Sequence, residues 1–295
     1  MPGLHWQNYQ QEKEMNRIKR IISLLLLTVL AATSVVLAGS FDEQEIGFDK
    51  ILNARDLGGY STVDGRTVKR KVLIRSGELA YATQTDLVRL QTEYNLGQVI
   101  DFRYAPDFVY CPDKRIGGVE YKNIPVKYNR SPSKKAPKKR YKKLRKKSKK
   151  KLRKAALKSF NKANRSYTYS LVMSDYSQGM YRSYFDQLLA NESGRGVLMH
   201  CTYGKDRTGV ASFMTLIALG VDEETAYQDY SMTNSFLKKY AKKAYKKGKR
   251  AVKESDLRYA VSAAKIKYGS LENFLKEAYG LDAEKLAKLR SIYTE

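Results

Sequence analysis

The chain is poor in the residues that build metal centres and disulfide frameworks. Its 295 residues include only two cysteines, two histidines and one tryptophan. Two cysteines are too few for a disulfide framework or a four-thiolate zinc site, and His5 and His200 are too few for a histidine-rich zinc site. The low counts therefore exclude a fold held together by several disulfides and a zinc centre of either kind.

Acidic residues are also scarce relative to basic ones. The chain has 56 Lys and Arg against 30 Asp and Glu, which gives a formal net charge of +26 at pH 7. Residues 130–165 hold 19 Lys or Arg and no acid, and residues 238–253 hold nine more. The first segment is either a basic amphipathic helix or a solvated, partly disordered insertion. We expect both segments to attract anionic lipid or a cell-wall polyanion, whereas a nucleic-acid partner is disfavoured.

Residues 1–40 have the layout of an N-terminal leader. Basic residues within 15–20 precede an apolar run at 21–30, and Val36 and Ala38 stand at the −3 and −1 positions of a cleavage site. This pattern predicts a secretory signal peptide. An uncleaved membrane anchor is the alternative, because the apolar segment is about long enough to span a bilayer. Both alternatives predict an exported protein, either secreted or associated with the cell envelope.

The remainder of the chain alternates between strand and helix patterns. The predicted strands are 72–75, 96–102, 121–126 and 196–199, and the predicted helices are 83–94, 181–189 and 210–219, with 257–293 mostly helical. Alternating elements of this kind favour a single α/β domain over residues 41–295. We predict a mainly parallel central sheet flanked by helices, interrupted by the lysine-rich insertion at about 130–165.

The segment with recognisable chemistry is 200–209, which reads HCTYGKDRTG. A predicted strand precedes Cys201, Gly204 permits a turn, and a predicted helix follows Arg207. The N–H groups of 202–207 can then face one concavity at the positive end of that helix. The arginine can bind two phosphate oxygens, and the same field favours a thiolate at the cysteine. The segment therefore predicts a phosphate-binding loop whose thiolate attacks phosphorus without a metal, giving a phosphocysteine that water hydrolyses.

Two other interpretations of Cys201 stay open at this point. A cysteine can be a buried and inert core residue, and in an oxidising compartment this one could pair with Cys111. A nucleophilic role requires that its thiol stay free.

The loop resembles that of the cysteine-dependent tyrosine and dual-specificity phosphatases, and it is similar in particular to secreted bacterial tyrosine-protein phosphatases whose loop reads HC-x-x-GKDRTG. Further similarity lies in 53–60 (NARDLGGY), 73–79 (LIRSGEL), 99–103 (VIDFR) and 268–290. The resemblance implies a phosphatase-like fold. It also implies a phosphomonoester hydrolase without a cofactor, acting through a phosphocysteine on phosphorylated protein, phosphoinositide, or both.

The resemblance also implies roles for single residues. Cys201 would be the nucleophile, Arg207 would hold the phosphate, and Thr208 would assist the thiolate as it leaves in the second step. His200 would orient the loop, although a core histidine is an equally good interpretation. Four loop residues would bind substrate: Thr202, Tyr203, Gly204 and Lys205. The lysine adds a second cation, which suits multiply phosphorylated substrates.

The general acid has three candidates. Many tyrosine phosphatases carry it in a Trp-Pro-Asp loop, but the only tryptophan here is Trp6. In relatives with a GKDRTG loop the aspartate of the loop itself is the proposed acid, which favours Asp206. Asp107 and Asp113 each follow a proline and are the alternatives, whereas Asp101 is better interpreted as a structural partner of an arginine or a loop N–H.

A different class of function is compatible with the same fold. The chain could be a non-catalytic, polyanion-binding exported protein on a phosphatase scaffold, because fold alone does not determine function. The enzyme interpretation is favoured because Cys201, Asp206, Arg207 and Thr208 are all present.

Overall fold

The computed structural model describes residues 44–126, 167–240 and 251–295. The predicted leader and the lysine-rich segment at 130–165 lie outside the described residues, as do residues 241–250 of the second basic segment. Residues from Ile46 onwards belong to one compact unit. No helix within the described ranges has the length and apolar character needed to cross a membrane.

A five-stranded sheet forms the centre of this unit, in the order β1-β2-β5-β3-β4. The strands are β1 (Arg55–Asp56), β2 (Leu73–Ser76), β3 (Leu96–Asp101), β4 (Glu120–Asn123) and β5 (Gly196–His200). Only the β1–β2 pair is antiparallel, and the other three pairs are parallel. The prediction of a mainly parallel sheet is thus confirmed, and the carboxyl ends of the parallel strands meet at one edge.

Eight helices with defined bounds surround the sheet in the described part of the chain. They are α1 (Gln84–Thr92), α2 (Ala105–Tyr110), α3 (Asp175–Ala190), α4 (Arg207–Leu219), α5 (Glu223–Tyr240), α6 (Glu254–Tyr268), α7 (Leu271–Tyr279) and α8 (Ala283–Tyr293). The predicted α/β fold is confirmed, and the mostly helical C-terminus consists of three helices. The sequence did not predict β1, α2 or α5.

Both faces of the sheet are covered, as side-chain alternation along a buried strand requires. On one face Leu198 belongs to an apolar cluster with Leu87 and Leu90 of α1. On the other face the Met199 sulfur accepts hydrogen bonds from Tyr184 of α3 and Ser212 of α4. The strand that leads into the predicted phosphate loop is therefore fully buried between two layers.

The helix after that loop is the most buried of the set. Eleven of the 13 residues of α4 are buried, which explains its almost continuously apolar sequence. Gly220, at φ 91°, ends the helix in the left-handed conformation. The helix begins at Arg207 rather than at residue 210, so the arginine of the motif belongs to its first turn.

Candidate active site

The predicted loop connects the carboxyl end of β5 to the first turn of α4. The pairing register places Ser76 of β2 and Asp101 of β3 on either side of His200. The residues that follow, 201–206, thus leave the sheet between two neighbouring strand ends and meet the N-terminus of α4. The first N–H groups of a helix lack intrahelical partners and carry a partial positive charge. This edge is well suited to an anion.

Cys201 lies at the base of the loop. The residue is 3% exposed and its thiol is free, as is that of Cys111, so the two cysteines do not form a disulfide. Burial by itself raises the pKa of the Cys201 thiol, but the Arg207 charge and hydrogen bonds from the side chain and N–H of Thr208 outweigh it. The net result is a pKa below the ordinary value for cysteine, which favours the thiolate.

Thr208 is fully buried in the first turn of α4. Its Oγ1 is buried, and its interaction is with the Cys201 thiol. The hydroxyl contributes to lowering the pKa of Cys201, which means that it favours the charged sulfur. The structure therefore places the threonine where it can stabilise a thiolate.

Arg207 is held from several sides at the rim of the loop. Its Nη1 donates to the carbonyl of Phe102 at 3.2 Å, and its Nη2 donates to Asp107 Oδ2 at 3.2 Å. The Tyr181 hydroxyl donates to the backbone carbonyl of the arginine at 2.9 Å, and the guanidinium lies 5.7 Å from the ring centre of Tyr104. The guanidinium is thus oriented before any phosphate binds.

Lys205 and Asp206 form the more exposed part of the loop. The Lys205 Nζ lies 3.5 Å from Asp206 Oδ2, and their side chains are 12% and 23% exposed. Asp206 occupies the N-cap position of α4, yet its side chain makes no capping hydrogen bond. The carboxylate is therefore not engaged in capping the helix that it precedes.

The two other candidates for the general acid lie in different surroundings. Asp107, in the first turn of α2, pairs with Arg207 and is 29% exposed, so it lies beside the guanidinium of the motif. Asp113 is 8% exposed and accepts a hydrogen bond from the N–H of Leu79 at 2.8 Å. Its other oxygen lies 3.0 Å from the Nε2 of His200. Asp107 therefore contacts the arginine of the motif, whereas Asp113 is buried and contacts Leu79 and His200.

His200 is buried beside the loop. Its Nδ1 lies 3.4 Å from the carbonyl oxygen of Cys201 and 3.8 Å from Asp101 Oδ1. Burial by itself lowers the pKa of His200, but Asp101 and Asp113 outweigh this effect and raise it above its ordinary value. The ring therefore joins the first residue of the loop to two carboxylates behind it.

Asp101, Asp113 and His200 offer metal-ligand atoms within 4.8 Å of one another. An arginine already supplies the positive charge there, because Arg103 Nη2 lies 2.9 Å from Asp101 and 2.8 Å from Asp113. Arg103 also donates to Glu78 at 2.9 Å. The predicted structural role of Asp101 as a partner of an arginine agrees with this arrangement.

A second buried network holds two carbonyl groups of the loop. Asn53 Nδ2 donates to the carbonyls of Tyr203 at 3.1 Å and Gly204 at 2.9 Å, and Arg75 Nη2 donates to the carbonyl of Gly204 at 2.9 Å. Behind them the carboxylate of Asp229, on α5, forms ion pairs with both Arg75 and Arg55. No sequence pattern predicted a role for Asp229, because it lies on a helix that was not predicted.

Two glycines of the motif are required by close contacts. Gly204 has φ +62°, and a Cβ there would lie 2.4 Å from the carbonyl oxygen of Ser76. A Cβ on Gly209 would lie 2.8 Å from the ring of Tyr230 on α5. Both positions exclude a larger side chain, because such distances essentially never occur for real Cβ atoms.

Comparison with known proteins identifies the family. The sequence profile of the tyrosine phosphatase family matches residues 46–295. The chain belongs to this family. The match covers all five strands and all eight helices described above, so family membership applies to the whole compact unit rather than to the loop alone.

This tyrosine phosphatase family member is similar to two curated bacterial proteins. A Cupriavidus necator protein named as a candidate tyrosine-protein phosphatase is 27% identical over 261 residues, covering 84% of this chain and 88% of that protein. A tyrosine-protein phosphatase of Nostoc commune is 34% identical over 62 residues, covering 21% of each.

Solved structures of P. aeruginosa TpbA show a weaker likeness to this family member. A cysteine-to-serine variant with bound phosphotyrosine is 16% identical with a TM-score of 0.33, covering 77% of this chain and 88% of that one. TpbA itself gives the same identity and TM-score, covering 79% and 95%.

Proposed function

We propose that this protein is a cysteine-dependent phosphatase that acts through a phosphocysteine on monoesters of phosphotyrosine, of phosphoinositides, or of both. One observation carries the proposal: the Cys201 thiol, its pKa lowered by Arg207 and Thr208, lies at the base of a loop that opens onto the N-terminus of α4. A nucleophilic thiolate and an anion site thus coincide. Family membership supports the phosphotyrosine part of the proposal.

In the first step the phosphate dianion binds the N–H groups of the loop and the guanidinium of Arg207. The Cys201 thiolate attacks phosphorus in line, the bond from phosphorus to the ester oxygen breaks, and a general acid gives its proton to that oxygen. The dianion and Asp107 compete for Nη2 of the arginine, because Asp107 occupies it at 3.2 Å. Substrate binding therefore releases the Asp107 carboxylate.

In the second step water attacks the phosphocysteine. The sulfur–phosphorus bond breaks, its electron pair returns to Cys201 as a thiolate, and the carboxylate formed in the first step accepts the proton from water. The buried hydroxyl of Thr208 donates to the departing sulfur. Inorganic phosphate is released and the enzyme returns to its starting state without a metal.

We assign the general acid to Asp206, with Asp107 as the alternative. Asp206 is a partly exposed residue of the loop, and its carboxylate makes no capping hydrogen bond to α4. Asp206→Asn is expected to lower kcat on an alkyl phosphate by about 10²–10⁴-fold, with little loss on an aryl phosphate whose leaving group needs no proton. Asp107→Asn is the matched variant. If only Asp107→Asn shows this dependence on the leaving group, the acid is Asp107.

Lys205 supports the phosphoinositide part of the proposal. Its ammonium adds a second cation beside the bound phosphate, and a substrate with several phosphates can use it. Lys205→Ala is expected to slow hydrolysis of multiply phosphorylated inositol lipids more than that of a simple aryl phosphate. Lys122→Ala, an exposed lysine on β4, is the control. Equal losses on both substrates would contradict a specific role for Lys205.

The proposal extends to where the enzyme acts. The predicted leader supports export, and the net charge of +26 supports attraction to anionic lipid or a cell-wall polyanion. Such attraction would bring the enzyme to phosphoinositide headgroups in a membrane surface. Binding to anionic vesicles that weakens as salt rises would support this part, and equal binding to neutral vesicles would contradict it.

The deciding experiment measures phosphate release by the reduced protein with EDTA present. An aryl phosphate, a phosphotyrosine peptide and phosphoinositide vesicles are compared, with Cys201→Ser as control. We expect turnover that Cys201→Ser abolishes, and the ranking of substrates chooses between protein and lipid. No turnover from a folded, reduced sample would favour the non-catalytic polyanion-binding alternative.

A further inference from the structure

Three charged side chains meet in the interior behind the loop. Arg55, Arg75 and Asp229 have side chains that are completely buried. Asp229 Oδ1 lies 3.2 Å from Arg55 Nε, and Asp229 Oδ2 pairs with Arg75 Nη1. The Asp229 backbone carbonyl also accepts from Arg55 Nη2 at 3.0 Å. One residue of α5 thus orients an arginine of β1 and an arginine of β2.

Both arginines pass this orientation to the loop. Arg75 uses its other nitrogen, Nη2, to hold the carbonyl of Gly204 at 2.9 Å. Arg55 donates to the Oδ1 of Asn53, which turns the amide nitrogen of that asparagine toward the carbonyls of Tyr203 and Gly204. Two routes therefore run from one carboxylate to the carbonyl of Gly204, and the route through Asn53 also reaches the carbonyl of Tyr203.

The orientation of those peptide groups matters for an anion. A peptide carbonyl and the N–H of the next residue point in opposite directions because the peptide unit is planar. Holding the carbonyls of Tyr203 and Gly204 against Asn53 and Arg75 turns the N–H groups of the following residues away from that network. A phosphate-binding loop needs such preorganised donors before its ligand arrives.

We propose that Asp229 is a positioning residue for the phosphate loop, acting through Arg75 and through Arg55 and Asn53. In this role Asp229 acts on the loop through these side chains rather than by contacting substrate itself. The expected effect of Asp229 on kcat rests on the proposed function. Its expected effect on phosphate affinity depends only on the geometry of the loop.

The test depends on whether Asp229→Asn strengthens or weakens the binding of inorganic phosphate. Asp229→Asn removes a negative charge near an anion site, and by Coulomb attraction alone inorganic phosphate would bind more tightly. If Asp229 positions the loop, phosphate binds more weakly and kcat falls by about 10–100-fold, because small displacements of a binding group are costly. Phosphate affinity is measured by protection of Cys201 against alkylation, which needs no turnover.

Asp56→Asn is the matched control. Asp56 is also a buried carboxylate on β1, but it accepts from the N–H groups of Gly58 and Lys71, at 2.8 and 2.7 Å, and neither of these residues belongs to the loop. We expect it to keep the wild-type phosphate affinity. Unchanged or tighter phosphate binding by a folded Asp229→Asn protein would overturn the proposal.

Arg75→Lys decides the question should Asp229→Asn fail to fold. Lysine keeps the charge that Asp229 pairs with, but it lacks the second nitrogen that holds Gly204. We expect weaker phosphate protection of Cys201 and a lower kcat, with the unfolding transition retained. Wild-type protection in Arg75→Lys would overturn the proposal. Absence of turnover in the wild type with phosphate protection intact would count against the proposed function alone.

Discussion

Two buried charge clusters contact the loop at 201–206, and they differ in the balance of charge. The arginine cluster (Arg55, Arg75 and Asp229) has two cations for one carboxylate and holds the carbonyl of Gly204. The carboxylate cluster has one arginine and one histidine for three carboxylates and touches the carbonyl of Cys201; its members are Glu78, Asp101, Arg103, Asp113 and His200. The loop is therefore held by a positive group on one side and a negative group on the other.

The difference determines which cluster can change its charge near neutral pH. Burial raises the pKa of Asp229, but Arg75 and Arg55 outweigh it and the pKa is lowered, so this carboxylate stays charged. In the carboxylate cluster Asp101 and Asp113 outweigh the effect of burial and raise the pKa of His200. Only the carboxylate cluster thus contains an imidazole, the side-chain type whose unperturbed pKa lies nearest neutral pH, and its pKa is raised.

The largest expected effect is on stability. Arg103→Met leaves three carboxylates without their arginine, and we expect the free energy of unfolding to fall by about 3–5 kcal/mol. Arg55→Met leaves Asp229 paired with Arg75, and we expect a smaller loss of roughly 1–3 kcal/mol. Urea denaturation measures both variants at one pH. Equal losses, or a larger loss from Arg55→Met, would show that charge balance does not distinguish the clusters.

The sequence was sufficient where the chemistry is contiguous. The loop at 200–209 could be predicted because a strand, a turn glycine and a helix follow one another in the sequence. The strands β2, β3 and β5 could be predicted from short apolar runs. The family assignment followed from the same residues. These predictions needed only local patterns.

The sequence was insufficient where the site is assembled from distant segments. Asp229 lies 174 positions from Arg55 and 154 from Arg75, so no local pattern connects them. Asp229 lies on α5, where residues 228–234 (QDYSMTN) are mostly polar, so the sequence does not show that one face of the helix is buried. The helix α2 has only six residues, which is too short for a helical pattern to be recognised. The contact of Asp107 with Arg207 depends on α2. The three candidates for the general acid could therefore be reduced only once the fold was known.

A smaller effect concerns pH. The pKa of His200 is raised in the folded protein, so the histidine contributes stability that is fully present below its unfolded pKa of about 6.5 and is lost as pH rises through its folded pKa. We expect the loss of stability in His200→Asn to be larger at pH 6 than at pH 9. Asp229, whose pKa is lowered, loses its contribution only in acid, so the deficit of Arg55→Met should stay constant over this range. Urea denaturation at several pH values compares the two, and parallel curves would contradict the contrast.

The smallest effect resolves the cause of the raised His200 pKa. Glu78 pairs with Arg103 at 2.9 Å and interacts electrostatically with His200. Glu78→Gln should therefore lower the pKa of His200 without disturbing the arginine cluster. Since His5 is the only other histidine, a His5→Gln background leaves one imidazole to follow by NMR titration. Glu93→Gln, which removes an exposed partner of Arg89, is the control and should leave the titration unchanged. An unchanged pKa in Glu78→Gln would mean that Asp101 and Asp113 alone make this cluster sensitive to pH.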